Sequence, residues 1–450
     1  MAFRPRRIVS GSVAKKRSEE AWGSRVLGVL KAFVKRTRYL RGPYFKATFY
    51  WRARALAARW KDLPDSPVAK AQPEVMVFGR YGGETVGNHF IQLGLLRALH
   101  QALPERPVFL LSTDVDVTAR GLAQAQALVA RRPEFADLSR FIADKVSVVG
   151  EEKIRSLGPG DLLMLGGGPL TDDPILVKWL LWFRWARRAN ARTMMAGCGL
   201  SPLHNPRSVS LVKALLAITD VVLVRNRPLA ALEREANGAV ELVLDPAFLC
   251  HPFLAPLVGE KRRWLAINTR TLDFGCTPER EVAPEQVTDD VVTHALRLAE
   301  WARFDAVIPF STFEAGEIPD STVSVSVADT LASKLGVPAL PLPPTTVMGL
   351  VDTLAKAEYV ISTRMHGFIV GLMLGCRAAH LDYISGGGKG DQLYREWLGR
   401  SCAPSIFHPE SSSEDDYIWL ASLAEVQASI DALIDTYVSA IRRASRVGAS

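Results

Sequence analysis

Two side chains with complementary chemistry stand two residues apart in the segment ISTRMHG, residues 361–367: Arg364 and His366. A guanidinium offers a planar fork that binds a carboxylate or phosphate through two hydrogen bonds, and an imidazole exchanges a proton near neutral pH. An apolar run precedes the segment, and the helical pattern FIVGLMLGC follows it. Because the amino end of a helix favours negative charge, the segment predicts an anion site with a proton donor beside it.

A second arginine, Arg225, ends the apolar run DVVLVR and stands next to the start of another predicted helix. A guanidinium at the end of a buried strand is typical of a residue that reaches a carboxylate or phosphate in a cleft. A surface arginine is the alternative interpretation. Arg225 is therefore a candidate ligand-binding residue beside Arg364.

Glycines mark two further strand ends. The first loop, GRYGGETVGNH (residues 79–89), places four glycines before a predicted helix and leads to Asn88 and His89, both candidates for substrate binding. The second, LLMLGGGPLTDDP, contains Gly167 and Gly168, whose backbone N–H groups we expect to be available to an oxyanion or a hydroxyl. The alternative for both loops is a tight turn, and for His89 it is a half-buried position in a helix.

The elements that carry these loops alternate between short apolar runs and helical patterns. A first series contains VMVFG, VFLLS, VSVVG, DLLMLGGG, ARTMMAGCG and DVVLVR, and a second contains RRWLAINTR, DAVIPFS, AEYVIST and AAHLDY. Buried strands alternating with helices predict parallel sheets covered on both faces. We therefore predict an α/β protein with two doubly wound, Rossmann-like domains facing a cleft, and ligands outside the carboxyl ends of the strands.

This pattern divides the chain into four predicted regions. Residues 1–70 form a basic, aromatic-rich extension, 71–255 the first Rossmann-like domain, 256–405 the second, which carries the site of residues 361–367, and 406–450 a helical tail. The proline-containing stretch HPFLAPLVGEKR indicates the linker between the two domains. The tail predicts one amphipathic helix that packs against either domain.

The composition excludes several classes of protein. With 48% hydrophobic and 23% charged residues among 450, the chain has ample material for globular cores. Its longest apolar stretches contain charges, so we expect no membrane span, and the start lacks the apolar core of a secretory signal. We therefore expect a cytoplasmic protein. The five cysteines are scattered without a C-x-x-C pair, so they do not indicate a metal or redox site.

The positive charge is concentrated at the front of the chain. The first 70 residues hold 18 Lys and Arg against 4 Asp and Glu, whereas the formal charge of the whole chain is only +8. Aromatic residues such as Trp22, Tyr39 and Trp51 interleave with the basic ones, a composition that suits an anionic membrane surface. The sequence thus predicts peripheral attachment to the inner membrane face through residues 1–60. The alternative is a basic arm packed on the protein's own acidic body; without a recognised module we expect no nucleic-acid partner.

Seven motifs occur in a specific order: VGNHF after the first strand, then LGGGPLTDD, AGCGLSPL, VVLVRNRPLAALE, LDPAFL, STRMHG and LDYISGGGK. Together they resemble the polysaccharide pyruvyl transferase family, over about residues 75–400. One position departs from the family's pattern. Relatives usually carry an Asp in the first loop, within G-N-x-G-D, where this chain reads VGNHF.

The resemblance implies a fold similar to the GT-B glycosyltransferases and transfer of a pyruvyl group from phosphoenolpyruvate to a sugar. The acceptor would belong to a cell-surface polysaccharide or its lipid-linked precursor, and the product is a cyclic ketal. Arg225, Arg364 and His366 match the family positions that contact the donor, and Lys389 matches a lysine that follows the family's tyrosine. The resemblance implies no cofactor other than this co-substrate, and we assign no residue to a metal.

Donor chemistry explains why these residue types fit. Phosphoenolpyruvate carries a phosphate and a carboxylate on three carbons, which two guanidinium forks can bind. We predict that His366 protonates the methylene carbon, so that a sugar hydroxyl can attack the carbon beside it. The alternatives are a purely phosphate-binding His366 and a solvated Lys389.

Two other functions remain open at the level of sequence. The first is a nucleotide-sugar glycosyltransferase of the same architecture, whose usual ribose-binding carboxylate is replaced in STRMHG by Arg and His. The second is a non-catalytic, anion-binding homologue, an interpretation that the missing first-loop Asp favours and that Arg225, Arg364 and His366 together oppose.

Overall fold

A computed structural model gives the arrangement of most of the chain. It describes residues 38–60, 70–83, 85–200, 203, 205–226, 236, 238–270, 284–314, 319–383, 389–398, 418–419 and 424–446. Most of the predicted basic extension, residues 1–37 and 61–69, lies outside this description. Residues 1–59 and 60–450 fall into two compact units.

In the first unit, the structure describes one helix, α1 (Arg38–Arg59). Its last turns expose two large rings, those of Tyr50 and Trp51. Within the described ranges, no helix is both long and apolar enough to cross a membrane.

The second unit begins with a parallel sheet. Its strands, in chain order, are β1 (Val75–Phe78), β2 (Val108–Ser112), β3 (Val146–Gly150), β4 (Leu162–Gly166), β5 (Pro169–Leu170), β6 (Arg192–Leu200), β7 (Val221–Val224) and β8 (Val240–Leu242). They lie in the order β3-β2-β1-β4-β6-β7-β8, with β5 paired to β6. The strand order reverses between β1 and β4. α/β proteins commonly bind ligands at such a point, outside the carboxyl ends of the strands.

Helices cover both faces of this sheet. They are α2 (Val86–Ala102), α3 (Val115–Ala130), α4 (Ala136–Lys145), α5 (Ile175–Arg188), α6 (Pro206–Ala217) and the short α7 (His251–Leu254), with 3₁₀ turns at Pro133–Phe135, Glu151–Ser156, Pro246–Cys250 and Ala255–Leu257. Side chains of β1 alternate between two cores: Val75 and Val77 pack on the side of α2, and Met76 and Phe78 on the side of α5.

A second sheet follows, built from β9 (Arg262–Asn268), β10 (Ala306–Pro309), β11 (Ala357–Ser362), β12 (Arg377–His380) and β13 (Ile418–Trp419). Its order is β10-β9-β11-β12-β13, parallel except for the β12–β13 pair. The accompanying helices are α8 (Pro284–Trp301), α9 (Asp320–Leu335), α10 (Val347–Leu354), α11 (Met365–Met373) and α12 (Lys389–Glu396). The predicted α/β class, with two Rossmann-like sheets, is confirmed.

The two sheet regions share one hydrophobic core. The same cluster of buried residues contains Val77 of β1, Phe90 of α2, Val360 of β11 and Phe368 of α11. The domain boundaries at residues 71–255 and 256–405 stay predictions, because this continuous core does not mark where one domain ends.

The predicted C-terminal helix is α13 (Ala424–Ser445), and it packs against the first sheet region. The Tyr437 hydroxyl donates a hydrogen bond to the carbonyl of Leu244 at 3.2 Å, and Arg442 donates one to the carbonyl of Gln101 at 3.0 Å. An ion pair joins Arg443 to Glu241. The helix thereby supports the segment that follows β8.

Close packing between α2 and the turn after β8 gives a test of this arrangement. A Cβ added at Gly94 would lie 2.0 Å from the carbonyl oxygen of Pro246, which is backbone and has little freedom to move. We expect Gly94→Ala to lower the free energy of unfolding by about 1–3 kcal/mol, the usual cost of overpacking. Chemical denaturation measures this change.

The matched control is Gly150→Ala, because nothing lies within 4 Å of a Cβ at that position. We expect this variant to match the native chain. Equal stability of the two variants would contradict the described contact between α2 and the Pro246 turn.

Candidate active site

The segment after β11 forms a tight, internally bonded turn. Ser362 Oγ accepts a hydrogen bond from the backbone N–H of Arg364 at 3.1 Å and donates one to its carbonyl at 2.7 Å. The N–H of Thr363 donates to the carbonyl of Asn268 in β9 at 3.1 Å. Helix α11 begins at Met365, three residues earlier than the helical pattern starting at Phe368 indicated, so His366 belongs to its first turn.

Arg364 is held by a buried carboxylate. Its Nε and Nη2 donate to the two oxygens of Asp320 at 2.8 and 2.7 Å, and its guanidinium lies 4.9 Å from the centre of the Phe313 ring. Burial raises the pKa of Asp320 above its ordinary value, although Arg364 opposes that shift. The sequence predicted a guanidinium that is free to bind a ligand, but its Nε and Nη2 already donate to Asp320.

Arg225 follows β7 and points into the interior. Its backbone N–H donates to the carbonyl of Cys198 at 3.1 Å, and only 8% of the residue is exposed. Gly199 makes room for the guanidinium, since a Cβ there would lie 2.5 Å from Nε. Nη1 donates to the carboxylate of Asp245. The surface interpretation of Arg225 is therefore wrong.

Asp245 lies in the motif LDPAFL, but the sequence analysis gave this carboxylate no role. It caps the 3₁₀ turn after β8, where its Oδ1 accepts a hydrogen bond from the N–H of Ala247 at 2.9 Å. Burial acts to raise its pKa, but Arg225 and His366 outweigh burial and hold the pKa below the ordinary value. Asp245 therefore stays charged at neutral pH, at 2% exposure.

His366 reaches across from the second sheet region to the first. Its Nε2 lies 3.7 Å from Oδ2 of Asp245, close enough for electrostatic attraction but longer than a hydrogen bond. Among the described residues, Nε2 has no hydrogen-bond partner. The other side of the ring packs on α2, because a Cβ at Gly87 would lie 2.4 Å from Nδ1.

Arg225 and Asp245 line a small hollow at the carboxyl ends of the strands. Around Arg225 and Asp245 it is lined by Asn226, by Met365 of α11 and by Gln392 of α12. A hydrogen bond joins Asn226 to Gln392 across the hollow. We predicted that the guanidinium groups of Arg225 and Arg364 converge with His366 on one ligand. Met365 of α11 does reach the hollow beside Arg225, but the side chain of Arg364 is paired with Asp320 and does not line the hollow.

The first loop is locked to the second sheet region rather than open. The N–H of Val86 donates to the carbonyl of Thr312 at 2.9 Å, and Thr85 forms an antiparallel bridge with Phe313. Asn88 donates from Nδ2 to the carbonyl of Arg80 at 2.9 Å, so its amide braces the loop. The structure thus gives Asn88 a structural contact in place of the ligand contact that we predicted.

His89 was predicted to contact the substrate, and the structure corrects this. It lies about 200° further round α2 than Gly87, so its ring faces α3 instead of the hollow. The ring packs directly on Gly121, and its Nδ1 lies 3.3 Å from Oε1 of Gln92. Burial lowers the pKa of His89, partly offset by the contact with Gln92.

The glycine loop after β4 fits the prediction only in part. Gly167 and Gly168 both adopt positive φ, 67° and 80°, which favours glycine. The N–H of Gly167 donates to the carbonyl of Ala196 at 2.8 Å, so it is part of the sheet and not available to a substrate. Gly168 borders open space, with nothing within 4 Å of an added Cβ.

Lys389 is the first residue of α12, but its side chain lies outside the described part of the structure, so its assignment stays a prediction. Among the described residues, no group of three or more His, Cys, Asp or Glu side chains is placed to hold a metal ion. The described cysteines Cys198, Cys250 and Cys376 are buried thiols, and burial raises the pKa of Cys198 to about 12 and of Cys376 to about 11.

The fold and site define an α/β protein in which two parallel sheets bring an arginine, a carboxylate and a histidine together at their strand ends. A family model described as polysaccharide pyruvyl transferase matches residues 86–385, about two thirds of the chain. The protein belongs to this family.

Comparison with curated proteins finds no match. Among solved structures, the chain is similar to a UDP-N-acetylglucosamine 2-epimerase (12% identity, TM-score 0.46, covering 82% of this chain and 95% of that one). It is also similar to a UDP-GlcNAc 2-epimerase from Neisseria meningitidis bound to UDP-GlcNAc (10% identity, TM-score 0.45, covering 82% and 100%). A third is a UDP-forming α,α-trehalose-phosphate synthase from Burkholderia xenovorans (12% identity, TM-score 0.43, covering 83% and 99%).

The contact between Gly87 and His366 predicts that the effect of Gly87→Ala on stability changes sign when His366 is replaced. Replacing a helical glycine with alanine ordinarily stabilises a protein by up to about 1 kcal/mol. In the native chain, Gly87→Ala would push its methyl group into the His366 ring, and we expect it to lower the free energy of unfolding by about 1–3 kcal/mol. In a His366→Ala background the same change should be neutral or stabilising. Urea denaturation of the native chain, the two single variants and the double variant measures both effects.

Gly83→Ala is the matched control in the same loop, because its Cβ would meet only atoms at 3.9 Å or beyond. Its effect should be the same in both backgrounds. If Gly87→Ala also had one effect regardless of residue 366, the ring would not lie where the structure places it.

Proposed function

We propose that this protein transfers the pyruvyl group of phosphoenolpyruvate to a sugar of a cell-surface polysaccharide or its lipid-linked precursor, forming a cyclic ketal. The observation that carries the proposal is the convergence of Arg225 and His366 on the carboxylate of Asp245, which with Arg225 lines a hollow between the two sheet regions. Membership of the polysaccharide pyruvyl transferase family supports it.

The arginines keep donors for the substrate despite their carboxylate partners. A guanidinium carries five N–H donors. Arg225 uses Nη1 for Asp245, and Arg364 uses Nε and Nη2 for Asp320. The remaining N–H groups suit the phosphate and the carboxylate of the donor. The carboxylates fix the direction of each fork before the donor arrives, which lowers the cost of ordering these long side chains on binding.

The reaction follows from a proton transfer. Protonated His366 gives its proton to the methylene carbon of phosphoenolpyruvate, which becomes a methyl group while the adjacent C2 becomes electrophilic. One sugar hydroxyl forms a bond to C2 and its proton returns to the imidazole. A second hydroxyl then forms the other C2–O bond as the C2–O bond to phosphate breaks, and its proton leaves with the phosphate. One donor and one diol thus give one ketal and inorganic phosphate.

The acceptor has room on the side of the first sheet. Gly168, at the carboxyl end of β4, borders open space, and β4 lies beside β1 where the strand order reverses. The carboxylate of Asp173 and the guanidinium of Arg80, paired at 3.0 Å, stand at the same edge and suit hydrogen bonding to sugar hydroxyls.

The role of His366 is tested by His366→Ala. Because general acid catalysis is worth about 10²–10⁴ in rate, we expect phosphate release with an acceptor glycan to fall at least a hundredfold. Binding of phosphoenolpyruvate should change only a few-fold, since the arginines remain. Phosphate release measures the rate, and thermal shift with phosphoenolpyruvate measures binding.

The control for this test is His100→Ala, a half-buried histidine that packs on Phe141 and takes no part in the proposed chemistry. It should retain native activity. Native turnover in His366→Ala would remove that residue from the acid role. Stabilisation by nucleotide sugars but not by phosphoenolpyruvate would favour a glycosyltransferase instead and overturn the proposed donor.

We further propose that α1 attaches the protein to an anionic membrane surface. The helix contains six Lys and Arg residues and no Asp or Glu. Tyr50 and Trp51 are 53% and 71% exposed, next to the exposed Arg52 and Arg54. Exposed rings beside cationic side chains suit the headgroup layer, where rings lie at the apolar boundary and basic groups meet lipid phosphates.

Membrane attachment is tested with the full chain and vesicles containing phosphatidylglycerol. Each basic residue near an anionic surface contributes about 1 kcal/mol, so Arg52→Gln with Arg54→Gln should weaken co-sedimentation about tenfold or more. Trp51→Ala should also weaken it. The matched control is Trp301→Ala, which removes an exposed ring of the second unit.

Binding should disappear with phosphatidylcholine vesicles and weaken as salt is added, because salt screens exposed charges. Equal loss of binding with Trp301→Ala would show that α1 is not the contact. Unchanged binding to neutral vesicles would exclude the electrostatic part of the proposal.

A further inference from the structure

One carboxylate oxygen of Asp245 lies close to a proposed site residue from each sheet region, Arg225 and His366. Oδ2 of Asp245 accepts from Nη1 of Arg225, which follows β7, and lies 3.7 Å from Nε2 of His366, in the first turn of α11. These are the two residues to which the proposed reaction assigns donor binding and proton transfer. The position of Asp245 therefore affects both of them at once.

The backbone that carries Asp245 is held from three directions. Val243 donates its N–H to the carbonyl of Val224 at 2.7 Å, which ties the segment to β7. The Tyr437 hydroxyl donates to the carbonyl of Leu244. Gly94 of α2 lies directly against the carbonyl of Pro246. A carboxylate on such a fixed backbone can orient mobile side chains, because it moves less than they do.

We propose that Asp245 is a positioning residue of the transfer reaction: its fixed carboxylate sets the direction of the Arg225 guanidinium and draws the protonated edge of His366 toward the donor site. This inference rests on the proposed function and adds a residue that contacts neither substrate. Asp245 acts only through Arg225 and His366.

The charges around Asp245 agree with this role. Arg225 and His366 are the basic groups that face it, and Cys198, Cys250 and Tyr437 are the other titratable groups that interact with it. Burial raises the pKa of all three of these neutral groups, so they carry no competing charge at neutral pH. Asp245 is thus the anion that a protonated His366 meets on this side of the hollow.

Replacing Asp245 with Asn separates the two effects of the carboxylate. Asn has the same shape but no charge, so Arg225 loses its counter-ion and becomes a stronger binder of anions. His366 at the same time loses the charge that orients it. A purely structural role predicts the opposite combination, in which a damaged site binds the donor more weakly as well as turning over more slowly.

The experiment measures kcat and KM for phosphoenolpyruvate in Asp245→Asn. Misplacement of a catalytic group by about 1 Å costs about a hundredfold in rate, so we expect kcat to fall about a hundredfold while KM stays equal or decreases. Asp137→Asn is the control, an exposed carboxylate whose side chain is 80% accessible, and it should leave both constants unchanged.

Asp245→Glu guards against a folding defect, because it preserves the charge pair with Arg225 and displaces only the carboxylate relative to His366. We expect Asp245→Glu to keep the native melting temperature and the native KM for phosphoenolpyruvate, and to lower kcat. Native kcat in folded Asp245→Asn, or a raised KM in both variants, would overturn the positioning role. Failure of the native protein itself to transfer pyruvyl groups would instead overturn the proposed function.

Discussion

The buried ion pair between Arg225 and Asp245 is the interaction on which the site depends. Both residues are removed from water, at 8% and 2% exposure, so each charge is tolerable only because the other is present. Removing one partner of such a pair typically costs about 3–5 kcal/mol. Two structural details help to hold this pair: the glycine at 199, and the support that α13 gives through Tyr437.

The same pattern occurs a second time around Arg364. Its partner Asp320 is the first residue of α9, and two hydrogen bonds of 2.8 and 2.7 Å join the pair. Each candidate donor-binding arginine thus has a carboxylate from its own sheet region: Asp245 follows the first sheet, and Asp320 lies between β10 and β11 of the second. The arginines are oriented within each half of the site, and His366 is the side chain that links the halves through Gly87 and Asp245.

The sequence predicted what depends on local pattern and missed what depends on packing. Alternation of apolar runs with helical patterns was enough to predict both parallel sheets, and the types of Arg225, Arg364 and His366 were enough to select them. The ion pairs of Asp245 and Asp320 have no local signal, because their partners lie 20 and 44 residues away and meet them only in the folded chain. His89 was misassigned since a position in the first turn of a helix does not state which way the side chain faces. The N–H of Gly167 was expected to be free because a pattern cannot show where a backbone group is already paired.

The departure in the first loop can now be interpreted physically. Relatives are expected to carry an Asp in this loop, whereas here Asn88 donates from its amide to the carbonyl of Arg80, which a carboxylate cannot do. This hydrogen bond braces the loop close to the point where the N–H of Val86 joins it to Thr312. The site nevertheless keeps a negative charge close to His366, because Asp245 supplies one at 3.7 Å from Nε2. The negative charge beside His366 thus does not depend on a carboxylate in this loop, and this is why the departure alone does not argue for a non-catalytic protein.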